Sequence, residues 1–511
     1  MDSSALIKRF EKAKDRKMQN WYSHMRECFQ YAVPQRETFD DHAPGQKKNA
    51  KVYDSTAVMA TPIYANRVQQ AIMPTGQQWA KLTAGSTVNE EQMIDFMGQQ
   101  LTIEESLEKV TDIAFDYINR SNLSTRLHEA LIDLAVSTAA LTCEYDADDD
   151  ELIFDSVPLS HVYLEAGPRG TVDGVWRYHT MKARNIPLTW PDAKLSDSLK
   201  DVVQASPDKE IGVIEGMLYD YDKKQYHLYV VTEADKTVIY DENYQDSSPW
   251  IVARTTVIPG EVYGRGPLMR VLPDIKTLNA MAENSLKSAA LAVAGVWTAT
   301  DDGVFNPYTV RIAPGVIIPV SSNANENPTL RSLDMGGNIQ FHEMEYNRRV
   351  DNVNRALFAK PIGDINDPTK TATEISMRMQ LDLQDAGAEF GRLQNELAGN
   401  IFKRVVYLLG REGIIPPIQV DGKTIDIKFT SPSAQQSDND EAMLLVRAIQ
   451  ISLSAGIPPE MLMADLMVEN VPSFLLDKLG GPSEFKRPED QKNKMGEIAG
   501  QQVAQGMMPQ Q

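Results

Sequence analysis

Tyr263-Gly264-Arg265-Gly266-Pro267-Leu268-Met269-Arg270-Val271-Leu272-Pro273-Asp274-Ile275-Lys276 stands where one periodicity gives way to another. Ahead of it, from Leu152 to Ile258, apolar residues recur with period two, the pattern of strands with one buried face. Leu152-Ile153-Phe154, Val175-Trp176, Met217 to Tyr221, His227 to Thr232 and Trp250 to Val257 read as strands. Asp173-Gly174 and Asp222-Lys223-Lys224 are candidate hairpin turns. Behind it Leu268, Val271, Leu272, Ile275, Leu278, Ala282, Leu286, Ala289 and Val293 recur at three and four, as on one helix face. Pro273 either opens or kinks this helix. From Asp274 to Ala294 it spans roughly 32 Å at a rise of about 1.5 Å per residue. A sheet-bearing region followed by long helices makes the fold class α+β.

Upstream, a helical pattern runs from Leu6 to about Ala32 and stops at Pro34. Asp54-Ser55-Thr56 offers an N-cap to a helix reaching Met73, which Pro74-Thr75-Gly76 ends. Trp79 to Leu82 reads as a short strand, and Glu90 to Ala139 as helix broken near Asn119–Asn122. Downstream, residues 295–340 return to short strands and Gly, Pro and Asn turns. Tyr346, Val350, Val353 and Leu357 then form one stripe of a second helix. Ala359 to Lys370 is a loop, holding Pro361, Gly363 and Pro368. Thr371 and Glu374 form a capping-box pair that opens a helix of about 39 residues, roughly 58 Å long. Ile418 to Phe429 reads as a hairpin around Asp421-Gly422. Asp438 to Ser454, Pro459 to Val468 and Ser473 to Leu479 read as shorter helices, and the tail from Gln491 as frayed unless a neighbouring subunit orders it.

The chain has 511 residues, 51 basic against 71 acidic, for a net charge of −20. A tight DNA binder needs Lys and Arg to displace counterions from phosphates. This balance argues against one, while leaving room for a surface past which DNA slides without sticking. The polar start Met1-Asp2-Ser3-Ser4 lacks the apolar run of a signal peptide. The longest apolar stretch, Ala289 to Trp297, is about half of a membrane span. A soluble protein made and kept inside a cell is expected. Cys28 and Cys143 build no disulfide framework or thiolate metal site and are read as buried or idle thiols.

Motifs for catalysis fail on inspection. Asp421-Gly422-Lys423-Thr424 resembles the end of a phosphate-binding loop, but Pro417 stands where its first glycine is required. Gly264-Arg265-Gly266 lacks the third glycine of a dinucleotide fingerprint, because position 269 is Met. His128-Glu129 and His342-Glu343 open zinc-helix patterns that Ile132 and Tyr346 break. Asp146, Asp148 and Asp150 have calcium-loop spacing, but Glu151 replaces the loop glycine and Val157 the terminal glutamate. No enzyme, cofactor or metal is expected.

Five stretches resemble the head-to-tail connecting (portal) family of short-tailed, podovirus-type bacteriophages. They are Asp54-Ser55-Thr56-Ala57 with Pro74, Gly76, Trp79 and Leu82; Pro249-Trp250-Ile251 with Arg254, Pro259-Gly260-Glu261 and Tyr263 to Pro267; Leu272 to Lys276 with Leu278-Asn279; Thr371 to Ile375; and Ser431-Pro432 with Ala434-Gln435 and Gly456-Ile457-Pro458. They fall in family order over most of the chain. Ala80 and Ser433 depart from the family's usual aromatic and apolar residues.

The resemblance implies a portal fold with an α/β wing, a two-helix stem, a small β-containing clip and a helical crown. On that basis 1–266 is the N-terminal wing, 267–294 the stem helix, 295–340 the clip and 341–358 the return stem helix. Residues 359–370 are a channel loop, 371–432 the long wing helix and β hairpin, and 433–511 the crown and tail. It further implies a ring, twelvefold in the family, at one capsid vertex of a virion assembled in the host bacterial cytoplasm. Its partners are then the terminase packaging motor, tail adaptor or nozzle proteins, and the major capsid and scaffolding proteins. Double-stranded DNA passes through without sequence preference, and no membrane is involved. Lys360, Asp364, Asp367, Lys370, Lys276 and Lys287 are the candidate channel residues. The polar stem face of Lys276, Asn279, Glu283 and Lys287 is expected to be free for the lumen or the next subunit. The alternatives are another virion structural protein, such as a tail adaptor or internal core protein, and a nuclease or packaging ATPase. The stem–clip–stem order speaks against the first, and the missing phosphate loop and metal cluster against the second.

Overall fold

The structure is a computed structural model that describes residues 2–40, 45–48, 51–85, 93–96, 99–294, 297–299, 330–332, 339–359, 387–416, 425–431, 443–452, 454, 471 and 474–475. Helices α1 (Ser3–Asn20), α2 (Tyr22–Ala32) and α3 (Thr56–Ile72) open the chain. Strand β1 (Ala80–Ala84) and the pair β2 (Met93–Phe96) and β3 (Gln99–Thr102) lead to α4 (Ile103–Arg120) and α5 (Leu123–Val136). Strands β4 (Thr138–Asp146), β5 (Glu151–Ser156), β6 (Val162–Ala166) and β7 (Val172–Lys182) follow, then helices α6 (Ile186–Thr189) and α7 (Asp197–Ala205). Next are β8 (Glu210–Asp220), β9 (Gln225–Thr232), β10 (Val238–Gln245) and β11 (Trp250–Arg254). They precede α8 (Pro267–Ala294), the antiparallel pair β12 (Trp297–Ala299) and β13 (Leu330–Ser332), and α9 (Ile339–Ala356). Helix α10 begins as Gly387–Leu393, passes through a π-helical turn at Gln394–Gly399 and ends as Asn400–Arg411. Strand β14 (Ile425–Phe429) comes after it, and residues 443–452 are helical. The mixture is α+β, as the change of period at Tyr263 predicts.

The chain divides into two compact units. The first comprises Met1–Gln19, Ala65–Gly266 and Gly363–Gln511; the second comprises Asn20–Tyr64 and Pro267–Ile362. The segment 1–266, expected as one wing, is therefore shared, residues 20–64 belonging with α8 and α9.

In the first unit an antiparallel sheet runs β10-β9-β8-β7-β6. Its register lines up Tyr163, Trp176, Gly216 and Tyr229 across four strands. Helix α1 lays Leu6, Phe10, Ala13 and Lys17 along one stripe. The first three join Tyr163, Trp176, Ile214, Leu218, Tyr229 and Val231 in a core on the sheet. Each large apolar side chain buried there contributes about 1.5–3 kcal/mol. Position 216 must be glycine because a Cβ would sit 2.3 Å from the Trp176 ring.

Lys17, the last residue of that stripe, is wholly buried. Its ammonium donates to the carbonyl oxygens of Leu159, Ser160 (3.0 Å) and Val162 (2.7 Å), and lies 4.6 Å from the centre of the Tyr163 ring. The Tyr263 hydroxyl braces the same segment, accepting from the Leu164 amide at 3.0 Å and donating to the Val162 carbonyl at 3.4 Å. Burial pushes Lys17 down from 10.5 to about 7, against the opposing pull of the Asp133 carboxylate. Lys17→Met leaves three buried acceptors facing a thioether and is expected to destabilise the protein by about 3 kcal/mol. Between pH 7 and 10.5 the unfolded chain holds a proton that the folded chain releases, so this group makes stability rise with pH. Thermal unfolding of wild type and variant checks both points. The gap between the two midpoints should widen from pH 7 to pH 9, and a constant gap counts against the assignment.

The second sheet of this unit runs β11-β4-β5. Gly264 and Gly266 press against the junction of α5 and β4, where a Cβ on Gly266 would lie 2.2 Å from the Ala135 carbonyl and one on Gly264 2.7 Å from that of Ser137. The Gly266 amide donates to Val136 at 2.9 Å, and the Ser137 hydroxyl to Gly264 at 2.6 Å. Close backbone approach, not phosphate binding, explains these glycines. The π-helical turn of α10 sets Glu396 against Arg254, which is 4% exposed. The carboxylate accepts from the Arg254 amide (3.0 Å), Nε (3.2 Å) and Nη2 (2.8 Å). Arg254 also donates to the carbonyls of Val262 (3.1 Å) and Gly170 (3.2 Å). Trp79, Phe115 and Phe402 close a ring cluster with centroids 5.2–5.9 Å apart.

Several expectations are corrected. Met93–Phe96 and Gln99–Thr102, expected as helix, are antiparallel strands, pairing Met93 with Thr102 and Phe96 with Gln99. The helix begins only at Ile103, where a capping box joins Thr102 and Glu105: the Glu105 amide donates to the Thr102 hydroxyl (3.2 Å) and the Thr102 amide to the Glu105 carboxylate (3.0 Å). Asp173-Gly174 lies inside β7; the turn before it is Pro168–Gly170, with Arg169 and Gly170 at positive φ. Pro273 lies within α8, which opens at Pro267. Phe429 to Ile425 pair antiparallel with Ala80 to Ala84, and the other arm of the expected hairpin lies outside the described residues. The helix expected from Thr371 is described only from Gly387.

Candidate DNA channel

The second unit contains α2, the beginning of α3, α8 and α9. Helix α8 buries Leu268, Leu272, Ile275 and Leu278, and α9 buries Val353 and Leu357. The Tyr64 and Phe358 rings stack with centres 6.1 Å apart. Asn279 sits at the middle of α8, 8% exposed. Its Oδ1 accepts from the amides of Tyr53 (2.6 Å) and Asp54 (3.2 Å), and its Nδ2 donates to the Lys51 carbonyl (2.9 Å). Asp54 in turn accepts from the Thr56 amide at 3.1 Å, as the sequence predicted for the start of that helix, and from the Tyr346 hydroxyl at 2.5 Å. That bond pushes Tyr346 up to about 12. Arg349 of α9 pairs with Asp274 of α8 at 2.6 Å. These bonds tie the start of α3, α8 and α9 together through buried and half-buried polar groups.

Of the six candidate channel residues, Lys360, Asp364, Asp367 and Lys370 lie outside the described residues. Lys276 is exposed on α8, pairs with Glu27 at 3.0 Å and lies 6.0 Å from the Tyr31 ring. Lys287 pairs with Glu283 one turn away at 2.7 Å, and that bond raises its pKa. The expectation of a free polar face through Lys276, Asn279, Glu283 and Lys287 is corrected at Asn279, which is internal, while Lys276 and Lys287 are exposed and paired with Glu27 and Glu283. The segment 51–54 crosses α8 and turns a polar stripe into an anchor point. Sequence reading missed that role, and also the Asp274–Arg349 pair, although Asp274 and Asn279 both lie in the Leu272 to Asn279 stretch singled out above. Beyond Glu283, residues 284–290 are all exposed, Leu286 to 60%.

The chemistry available is limited. Among the described residues no group of three or more His, Cys, Asp or Glu is placed to hold a metal ion. No described helix is long and apolar enough to cross a membrane. Cys28 and Cys143 are buried and unpaired with each other, and burial pushes both thiols up to about 12. A thiol so raised is protonated at neutral pH and is a poor nucleophile. Asp150, from the calcium-like run, accepts from the hydroxyls of Tyr117 (2.9 Å) and Tyr145 (2.5 Å).

What the geometry defines is a scaffold, with long helices fixed by polar anchors and close glycine contacts. The family described as bacteriophage head to tail connecting protein matches residues 3–485, and this chain belongs to that family. The chain is 19% identical over 463 residues to a probable portal protein of Bordetella phage BPP-1, covering 87% of this chain and 82% of that one. It is 20% identical over 457 residues to a portal protein of Salmonella phage epsilon15, covering 85% and 80%. Among solved structures, a chain from the virion of a native gene transfer agent particle aligns at TM-score 0.33 and 12% identity, covering 84% of this chain and 99% of that one.

Proposed function

We propose that this chain is a portal subunit, copies of which close into a twelvefold ring at one capsid vertex. The ring is the conduit for genome packaging and ejection and the platform on which the terminase motor and later the tail adaptors dock. The observation that carries this reading is membership of the head-to-tail connecting family over nearly the whole chain. The exposed stretch 284–290 of α8 supports it, because an exposed leucine on a helix is stabilised by a neighbour. In this reading α8 and α9 are the stem and 295–340 the clip. The loop 359–370 faces the DNA, with Lys360, Asp364, Asp367 and Lys370 beside it and Lys276 and Lys287 on the stem. Residues 371–432 return to the wing and 433–511 form the crown. The protein itself hydrolyses nothing; the motor supplies the work.

One preparation tests this. Native mass measurement and negative-stain images of the purified protein should show a closed ring with a central hole and no ATP turnover. A stable monomer at micromolar concentration overturns the reading. So does hydrolysis that co-purifies with the ring and disappears on mutation of one of its own carboxylates.

A further inference from the structure

The second unit carries two exposed surfaces with few charges. One is the outer face of α3, where Met59 is 67% exposed and Ile63 40%, with Pro62 exposed between them. It adjoins a groove of about 190 Å³ lined in part by Pro34, Val52, Tyr53 and Val58, at whose rim Tyr53 is 47% exposed. The other is the exposed stretch 284–290 of α8, which carries Leu286 and whose Ser285 hydroxyl lies 3.2 Å from His342 of α9.

Both surfaces are nearly free of charge in a chain of which 24% is charged. From Val52 to Ile63 the only charged residue is Asp54, which is buried and bonded to Tyr346. From Asn284 to Ala290 the only one is Lys287, which Glu283 neutralises. Copies that each carry a net charge of −20 repel one another. They can approach closely only through surfaces without charge, and depletion of charge is the compositional mark of an interface core. A polyanion such as DNA finds on these surfaces a single lysine, already paired with Glu283, so the occupant they fit is another copy of the chain. A closed ring needs two unlike surfaces per copy, because a head-to-tail contact joins different patches. Here one surface is a groove flanked by a stripe, and the other a projecting helix with a leucine knob.

We infer that the Met59–Ile63 face and its groove on one copy receive the Leu286 segment of α8 from the next copy. This rests on the ring reading and specifies its contact.

Two variants test it, Met59→Glu combined with Ile63→Glu, and Leu286→Glu alone. All three positions are exposed, so each variant should keep the circular dichroism spectrum of wild type. A carboxylate buried in the contact without a partner strongly disfavours it. In native mass measurements at micromolar concentration each variant alone should lose nearly all of its ring and appear as monomer. An equimolar mixture retains one intact junction per unlike pair and should give a one-to-one dimer and no ring. Rings formed by either variant alone overturn the inference while leaving the ring reading intact. A mixture that stays monomeric overturns the pairing of these two surfaces. Wild type that forms no ring overturns the function proposed above.

Discussion

Arg254→Ala is expected to destabilise the protein by about 2–3 kcal/mol, because it removes the buried partner of a half-buried ion pair and its charged hydrogen bonds. Glu396 then keeps only the Arg254 backbone amide and a distant Arg392, 3.9 Å away. The carbonyls of Val262 and Gly170 lose their donor as well. The loss should be cooperative, since Arg254 joins β11 to the π-helical turn of α10 within one unit. Replacing both partners with apolar residues, Arg254→Met with Glu396→Leu, should recover part of the loss because no charge is left buried alone. Denaturant unfolding of the single and double variants measures this. A loss below about 1 kcal/mol for Arg254→Ala would place the pair among solvent-screened contacts.

Deletion of residues 364–367 is expected to leave the ring assembled and to lower several-fold the DNA retained per particle. The sequence around it holds Pro361, Gly363 and Pro368, which disfavour regular structure, and on the reading proposed above it follows the return stem helix. Lys360 and Lys370 at its ends are cations in a strongly acidic chain, and each phosphate contact they make is weak and sensitive to salt. Weak contacts suit an element past which DNA slides. The polar anchors of α8 and α9 at Asn279, Asp54 and Arg349 do not depend on the deleted residues, so assembly should persist. Particles built with wild-type and shortened rings are compared for DNA content after filling and after storage. Normal filling with normal retention rules out the channel role.

Local spacing already determined much of this protein. Period two from Leu152, period three and four from Leu268, and the turn at Asp222 to Lys224 each depend on backbone geometry within a few residues, and all appear in the structure. The Thr102–Glu105 capping box was equally local, and it was passed over because the apolar pattern through Met93 and Ile94 reads as helix or strand in so short a run. The failed catalytic motifs were legible for the same reason, since their spacing is a property of the chain alone.

Tertiary structure decided which groups meet. Nothing near Phe429 indicates that its strand pairs with Ala80, because an exposed strand edge specifies hydrogen bonds but not their partner. Asn279 shares a helix face with lysines and a glutamate, and only the crossing of residues 51–54 buries it and gives its amide three backbone partners. Lys17 continues the apolar stripe of α1, yet its burial depends on three carbonyls contributed from Leu159 to Val162. The sequence by itself determined the change from strands to long helices, several of the elements and the failure of familiar catalytic motifs, because backbone hydrogen bonding and turn chemistry act over short range. The polar anchors were decided only by the fold, because a buried polar group is stable where distant segments supply its partners, and those partners are chosen by packing.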